Sequence, residues 1–398
     1  MAGSRLHILI HPWREEGSHL IWEADLRYPG FRRERLWFRV SAKYRSILTE
    51  LADPFLVGCF QQAMAWKRDL VVEGAPASAG LLSGLERAQA LIHGWWPRSY
   101  RPVDLCVERV TPAASATQGT LLAFSGGVDS SHSAWVNRGP GTAGGAPPVT
   151  AGLMVQGFDI PLGEDEKFAA AAENSEKLLG SLGLPLIRAE TNLRVMPGIW
   201  LENFGSAVAA ALHLFSGGYR AGMLASGHER DGFPHGSAPG LDPEFGSEVF
   251  DIFHDGAFVT RLAKIEALAE WPEACARLRV CWRDPTYSRN CGRCEKCLRT
   301  LILFRVAGKL PSCFPGDVDD GTIRRLRIAP INLLLTYQPL LEVLRERGIR
   351  GTWVTALEEA VARGVARPVV QPADRLPNWL RLWVRMFRQQ AGLRRGVF

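Results

Sequence analysis

Two short stretches carry residues whose types and spacing suit chemistry. The first is LLAFSGGVDSSHSAWV, Leu121 to Val136. A short apolar run empties into Ser125-Gly126-Gly127 and then into a segment of helical composition. A strand that passes through a glycine pair into a helix leaves backbone N–H groups unpaired around one concavity. The helix dipole adds partial positive charge there, which makes an anion site. Glycine lets the backbone approach a ligand closely, and the hydroxyls of Ser125, Ser130 and Ser131 add donors. The stretch suits phosphate oxygens. Its plainer alternative is a tight turn with a helix cap at Asp129.

The second stretch is CWRDPTYSRNCGRCEKC, which places Cys281 ahead of a compact Cys291, Cys294, Cys297 run. Four thiolates at loop spacing suit tetrahedral zinc, and a closed set of this kind leaves no open catalytic position. An iron–sulfur cluster is the competing occupant, because such sets serve both metals. Arg289, Arg293, Lys296 and Arg299 surround this knuckle, where they favour thiolate and offer contacts to an anion. Cys59, Cys106, Cys275 and Cys313 lie among apolar neighbours and read as buried thiols.

The elements that must position these groups follow from patterning. Residues 5 to about 48 alternate between apolar and polar, with the second and third runs joined through PGF, and predict a small antiparallel sheet. Helical spacing follows at 54–67 and 81–95, and PAASATQG (112–119) reads as a linker. From 120 the pattern changes. Strands at LLAF, TAGLMVQ (150–156), PLIRAE and AGMLAS (221–226) alternate with helices at 129–137, around EKFAAAAENSEKLLGSLG and at 200–216. Such alternation predicts a mostly parallel sheet covered by helices. The expected fold class is therefore α/β. A small N-terminal α+β domain at 1–111 precedes the parallel core at 120–300, and a helical region occupies 301–398. The tail NWLRLWVRMFRQQAGLRRG reads as a basic amphipathic helix, with packing as the plain reading and RNA, protein or membrane contact as the others.

The 398 residues are too many for one ordinary core. Hydrophobic content of 46% and charged content of 22% are those of a globular chain. Eight cysteines in this length do not form a secreted disulfide framework. The first apolar run is too short for a signal-peptide core, and no run approaches the roughly 18 residues of a membrane span. A cytoplasmic protein with no membrane association is expected. The formal charge of +6 is compatible with a polyanionic ligand, nucleoside triphosphate or RNA.

The Walker pattern and GxGxxG in a strand–helix context are both absent. SGGVDS instead resembles the signature of the PP-loop ATP pyrophosphatases, whose Rossmann-like (HUP-like) core grips the pyrophosphate of ATP and cleaves between the α and β phosphates. Gly227-His228…Asp231, after the fourth strand, resembles the family's Gly-His-x-x-Asp segment. Arg261 and Lys264, at a helix start in HDGAFVTRLAKIEAL, resemble the position from which a family lysine reaches the phosphates. A PP-loop followed by Cys-x9-Cys-Gly-x-Cys-x-x-Cys resembles the 7-cyano-7-deazaguanine synthase branch, over roughly 120–300. There a structural zinc knuckle closes the domain, ATP adenylates a carboxylate, ammonia displaces AMP to give an amide, and a second activation gives a nitrile. QGFDIPLG, TNLR and GSAPGLDPEFGS depart from that branch's substrate segments, so the resemblance implies the reaction type and not the substrate.

Carried onto this sequence, the resemblance implies a cradle from the backbone of Ser125, Gly126 and Gly127 with the hydroxyls of Ser130 and Ser131. Arg261 and Lys264 neutralise the β and γ oxygens bridged by Mg2+, Asp129 orients the metal ion or the loop, and His228 and Asp231 act near the reacting centre. Adenine lies near Met154–Gln156, recognised by backbone groups. ATP, Mg2+ and Zn2+ are the implied cofactors, with a carboxylate-bearing acceptor and an external nucleophile. A homodimer is one assembly the sequence allows. Two other functions compete. One is a PP-loop enzyme that thiolates RNA, favoured by the GHERD segment and the basic charge. The other is a non-catalytic module in which nucleotide and zinc stabilise a partner-binding surface.

Overall fold

The computed structural model describes residues 5–27, 34–111, 119–140, 145–196, 200–227, 235–281, 283–287, 289–329 and 332–365. The chain opens with β1 (Leu6–Ile10), β2 (Arg14–Glu16), β3 (His19–Arg27) and β4 (Glu34–Ser41). Then follow α1 (Asp53–Trp66), β5 (Leu70–Glu73), β6 (Ala77–Ser78), α2 (Ala79–Trp95), β7 (Leu105–Val107) and β8 (Val110–Thr111). The strand–helix alternation comes next: β9 (Thr120–Ala123), α3 (Val128–Val136), β10 (Val149–Gln156), α4 (Asp165–Gly180), β11 (Leu186–Thr191), α5 (Trp200–His213) and β12 (Ala221–Ala225). A further strand, β13 (Asp251–Asp255), had no clear pattern in the sequence. Helices α6 (Arg261–Ala269), α7 (Pro272–Arg277), α8 (Glu295–Val306), α9 (Asp320–Arg324), α10 (Gln338–Glu346) and α11 (Thr352–Val365) complete the described chain. The basic tail beyond 365 lies outside the described residues.

The fold is α/β with a mostly parallel central sheet. Strands line up as β13-β12-β9-β10-β11-β4-β3-β1-β5-β7, with β2 on β3. Within it β10 pairs parallel with β9 and β11, and β12 pairs parallel with β9 and β13. Chain order therefore runs outward from β9 in both directions, and the reversal falls at the end of β9. That point is where open α/β sheets form a ligand crevice.

The N-terminal strands extend this same sheet across the boundary expected at 112–119. Strand β4 pairs antiparallel with β11, with Val40 opposite Ala189 and Phe38 opposite Thr191. Strands β1 to β4 pair antiparallel with one another, as their alternation predicts, and the later β5 and β7 add beyond β1 in parallel. The physical reason is the edge of β11, whose free backbone groups need a partner.

The sheet separates two cores. One lies beneath α1, α2 and α5 and holds Trp22, Phe38, Phe55, Phe60 and Phe215. The other holds Leu122, Phe124, Met154, Leu179, Ile302 and Phe304 beneath α3, α4, α6, α8 and the last helices. Tyr337, fully buried, donates to Glu295 Oε1 at 3.2 Å and ties the C-terminal helices to the start of α8.

Candidate anion site and cysteine centre

The glycine-pair loop follows β9 at the point where strand order reverses. Gly126 has φ +72°, a conformation that glycine adopts without strain. A Cβ there would stand 3.2 Å from Ser175 Oγ, so the wall behind the turn is tight as well. Gly127 is extended and caps α3 with no side chain bonding to the helix amides. The first-turn amides of Val128, Asp129 and Ser130 have no intrahelical acceptor by construction. Ser130 Oγ accepts the Ser125 amide at 3.2 Å and lies 3.3 Å from Ser125 Oγ. Uncapped amides thus converge at one helix start.

Three of the residues singled out for chemistry meet beside this loop. Thr260 caps α6 by accepting the Ala263 amide at 3.1 Å, which sets Arg261 and Lys264 in the first turn. Lys264, 2% exposed, donates to Asp129 Oδ1 at 3.1 Å and to the Ser226 carbonyl at 2.7 Å. Arg261 sits 3.1 Å from Asp129 Oδ2 and donates to the Gly227 carbonyl at 3.2 Å. Burial alone pushes the Asp129 carboxyl up; Arg261 and Lys264 outweigh it and hold the group below the ordinary value. Both carboxylate oxygens are engaged, so Asp129 acts as the fixed point that aims two cations. Nearby, burial and the Lys264 charge lower the His132 imidazole.

The cysteine centre stands against the same loop. The Sγ atoms of Cys281, Cys291, Cys294 and Cys297 all lie within 4.8 Å of one another. Cys281 to Cys294 and Cys291 to Cys297 are both 3.9 Å. Tetrahedral zinc with Zn–S of about 2.3 Å requires sulfur separations near 3.8 Å, so the set fits that ion. The Arg283 amide points at Cys281 Sγ at 3.3 Å, and the Cys294 amide at Cys291 Sγ at 3.4 Å. Such donors stabilise thiolate. Gly292 turns the Cys-Gly-x-Cys corner at φ +67°, where a Cβ would meet Pro315 at 2.9 Å. Asn290 locks the two halves of the knuckle, accepting the Val280 amide at 2.9 Å and donating to the Leu278 carbonyl at 2.7 Å.

Of the expected site residues, Ser125, Gly126, Gly127, Asp129, Ser130, Arg261 and Lys264 come together. Ser131 is on the same helix, but its hydroxyl is buried with no partner. Met154 is core, and Gln156 spends its amide on the Pro161 carbonyl and on Asp165 Oδ1 at 2.9 Å. Neither side chain is presented to a ligand. His228 and Asp231 lie outside the described residues. Among the other thiols only Cys59 is fully buried; Cys106, Cys275 and Cys313 are half-buried, shallower than their apolar neighbours suggested.

The sequence did not single out Arg279. Its amide donates to the Gly126 carbonyl at 2.8 Å, and its guanidinium donates to the Ser125 carbonyl at 2.8 Å. No local pattern marks it, because the loop it holds is 153 positions away (279 − 126). Burial lowers both the Arg279 guanidinium and the Lys296 ammonium from their ordinary values.

Among the described residues no helix is long and apolar enough to cross a membrane. A scan against protein-family models finds no match to this chain. Searches of curated proteins and of solved structures likewise find none.

Proposed function

We propose that this chain is an ATP-dependent ligase of the PP-loop ATP pyrophosphatase type, which adenylates a carboxylate for attack by ammonia or another external nucleophile. One observation carries the reading most: a glycine-pair loop and an uncapped helix start face Arg261 and Lys264 at the switch point of the parallel strands. That arrangement favours a polyphosphate and leaves its inner phosphorus open to an attacking oxygen.

A carboxylate resists nucleophiles because it is anionic and lacks a good leaving group. Its oxygen attacks the α phosphorus of ATP, the bond to the β-phosphate oxygen breaks, and pyrophosphate leaves with the electron pair. The amides of the first turn of α3 and the two cations from α6 stabilise charge growing on the departing group. Each well-aimed donor in such sites contributes about 3 kcal/mol. Mg2+ accompanying ATP would neutralise further phosphate charge; with Asp129 already committed, exposed Asp159 is a carboxylate among the described residues that could face it. The nucleophile then displaces AMP from the acyl carbon. Zinc in the cysteine centre has a structural task, since four thiolates leave it no open position.

Incubation with α-phosphorus-labelled ATP and a panel of carboxylates should give acceptor-dependent AMP. Release of ADP alone would rule the mechanism out.

A further inference from the structure

The geometry points to the cysteine knuckle as part of the anion site itself: Arg279 holds the glycine-pair loop in its receptive shape, Lys296 supplies a cation facing the bound pyrophosphate group, and metal occupancy thereby sets anion affinity. This rests on the ligase reading only in taking the loop as a polyphosphate site.

Three observations carry it. Arg279 is two residues before Cys281 and is bonded to the loop twice, through its own amide to Gly126 and through its guanidinium to Ser125, both at 2.8 Å. These bonds take up the Ser125 and Gly126 carbonyls, while the Ser125 and Gly127 amides turn to Ser130 Oγ and Ser125 Oγ at 3.2 and 3.4 Å, and the first-turn amides of α3 stay uncapped. Its Nε is buried with no partner among the described residues, as is Ser175 Oγ behind Gly126. Buried donors without acceptors are costly, and they mark a place built for an anion.

Lys296 lies between Cys294 and Cys297, in the first turn of α8, whose start is set by Cys294 at the N-cap. It is half-buried, and α8 packs against α6, the helix that carries Arg261 and Lys264, so that Lys296 shares its electrostatic surroundings with Asp159, Arg261 and Asp129. Asn290, next to Cys291, holds the Val280 and Cys281 amides at 2.9 and 3.2 Å. Asn290 thus ties the thiolate-bearing segment directly to the two residues that follow Arg279. A metal bound by the four thiolates would hold the knuckle in this arrangement, and the knuckle in turn holds both cations.

The test uses the full-length zinc-loaded chain and inorganic pyrophosphate. By calorimetry Lys296→Met should bind pyrophosphate about tenfold more weakly, with an unchanged melting temperature, and Lys296→Arg should recover most of the loss. Arg279→Met should lose at least as much, with Arg279→Lys recovering part. Cobalt(II) in the cysteine centre adds a spectroscopic readout: saturating pyrophosphate should shift its visible absorption in the parent chain and not in Arg279→Met. Tight binding by both methionine variants, or a cobalt spectrum indifferent to pyrophosphate, overturns the inference while leaving the ligase reading intact. Failure of the parent chain to bind pyrophosphate at all sinks both.

Discussion

The two halves of the sheet use the same charged residues to opposite ends. On β3, β4 and β11, carboxylates and cations come in near balance. His11 meets Asp25 at 2.7 Å, Arg35 reaches Asp25 at 3.4 Å, and Arg39 meets Glu190 at 3.1 Å. Several of these side chains remain partly in water. At the carboxyl end of β9 and β12, by contrast, Asp129 is shared between Arg261 and Lys264, with Arg279 and Lys296 close by. A buried carboxylate shared between two cations is a setting that an added anion would stabilise further. The comparison teaches that composition says little here, because what differs is the local sum of charge and its depth.

The largest effect expected is at the cysteine centre. Cys294→Ser should yield insoluble or metal-free unfolded protein, since structural zinc contributes on the order of 10 kcal/mol in small sites. Metal analysis and solubility check this. A soluble variant with a normal melting curve would show that the knuckle is not what holds this half together.

Next is the buried pair itself. Asp129→Asn leaves Lys264, 2% exposed, without its carboxylate, and should cost about 3–5 kcal/mol in urea unfolding. The same variant tests a pH effect. The folded Asp129 carboxyl is held below its ordinary value, so its contribution is present above the unfolded pKa and is lost as pH falls through the folded one. The parent chain should lose stability relative to Asp129→Asn as pH drops through and below about 3.9. Parallel pH profiles would count against the pairing.

The balanced half should respond weakly. Arg39→Ala removes a part-exposed pair with Glu190, and the unfolding free energy should change by less than about 1 kcal/mol. A larger loss would mean that the two halves are less different than their geometry suggests. The smallest effect, of opposite sign, is expected at Asp159, an exposed carboxylate in the electrostatic surroundings of Lys296 and Arg279. Without Mg2+, Asp159→Asn should tighten pyrophosphate binding a few-fold by calorimetry.

Much of this was legible because it is local. Glycines at 126 and 127 after an apolar strand, Arg261 and Lys264 at a helix start, and four cysteines with Gly292 at the corner all express short-range geometry. Alternation of strands and helices from 120 onward announced a parallel sheet for the same reason. Two things resisted. Strand β13, Asp251–Asp255, reads DIFHD and has too few apolar residues to signal a strand. The Gln156 side chain, at the strand end where backbone groups were expected to meet adenine, holds the turn after β10 through Asp165, a role its sequence neighbours did not signal.

The amino-acid order by itself determined the elements, the thiolate set and the anion-friendly loop, since each depends on neighbours a few residues apart. Only the tertiary structure decided that β4 would join β11, that Asp129 would meet Lys264 across 135 positions, and that Arg279 would close over Gly126. Those meetings follow from how the sheet orders its strands and which face each helix covers, a property of packing that no local spacing encodes.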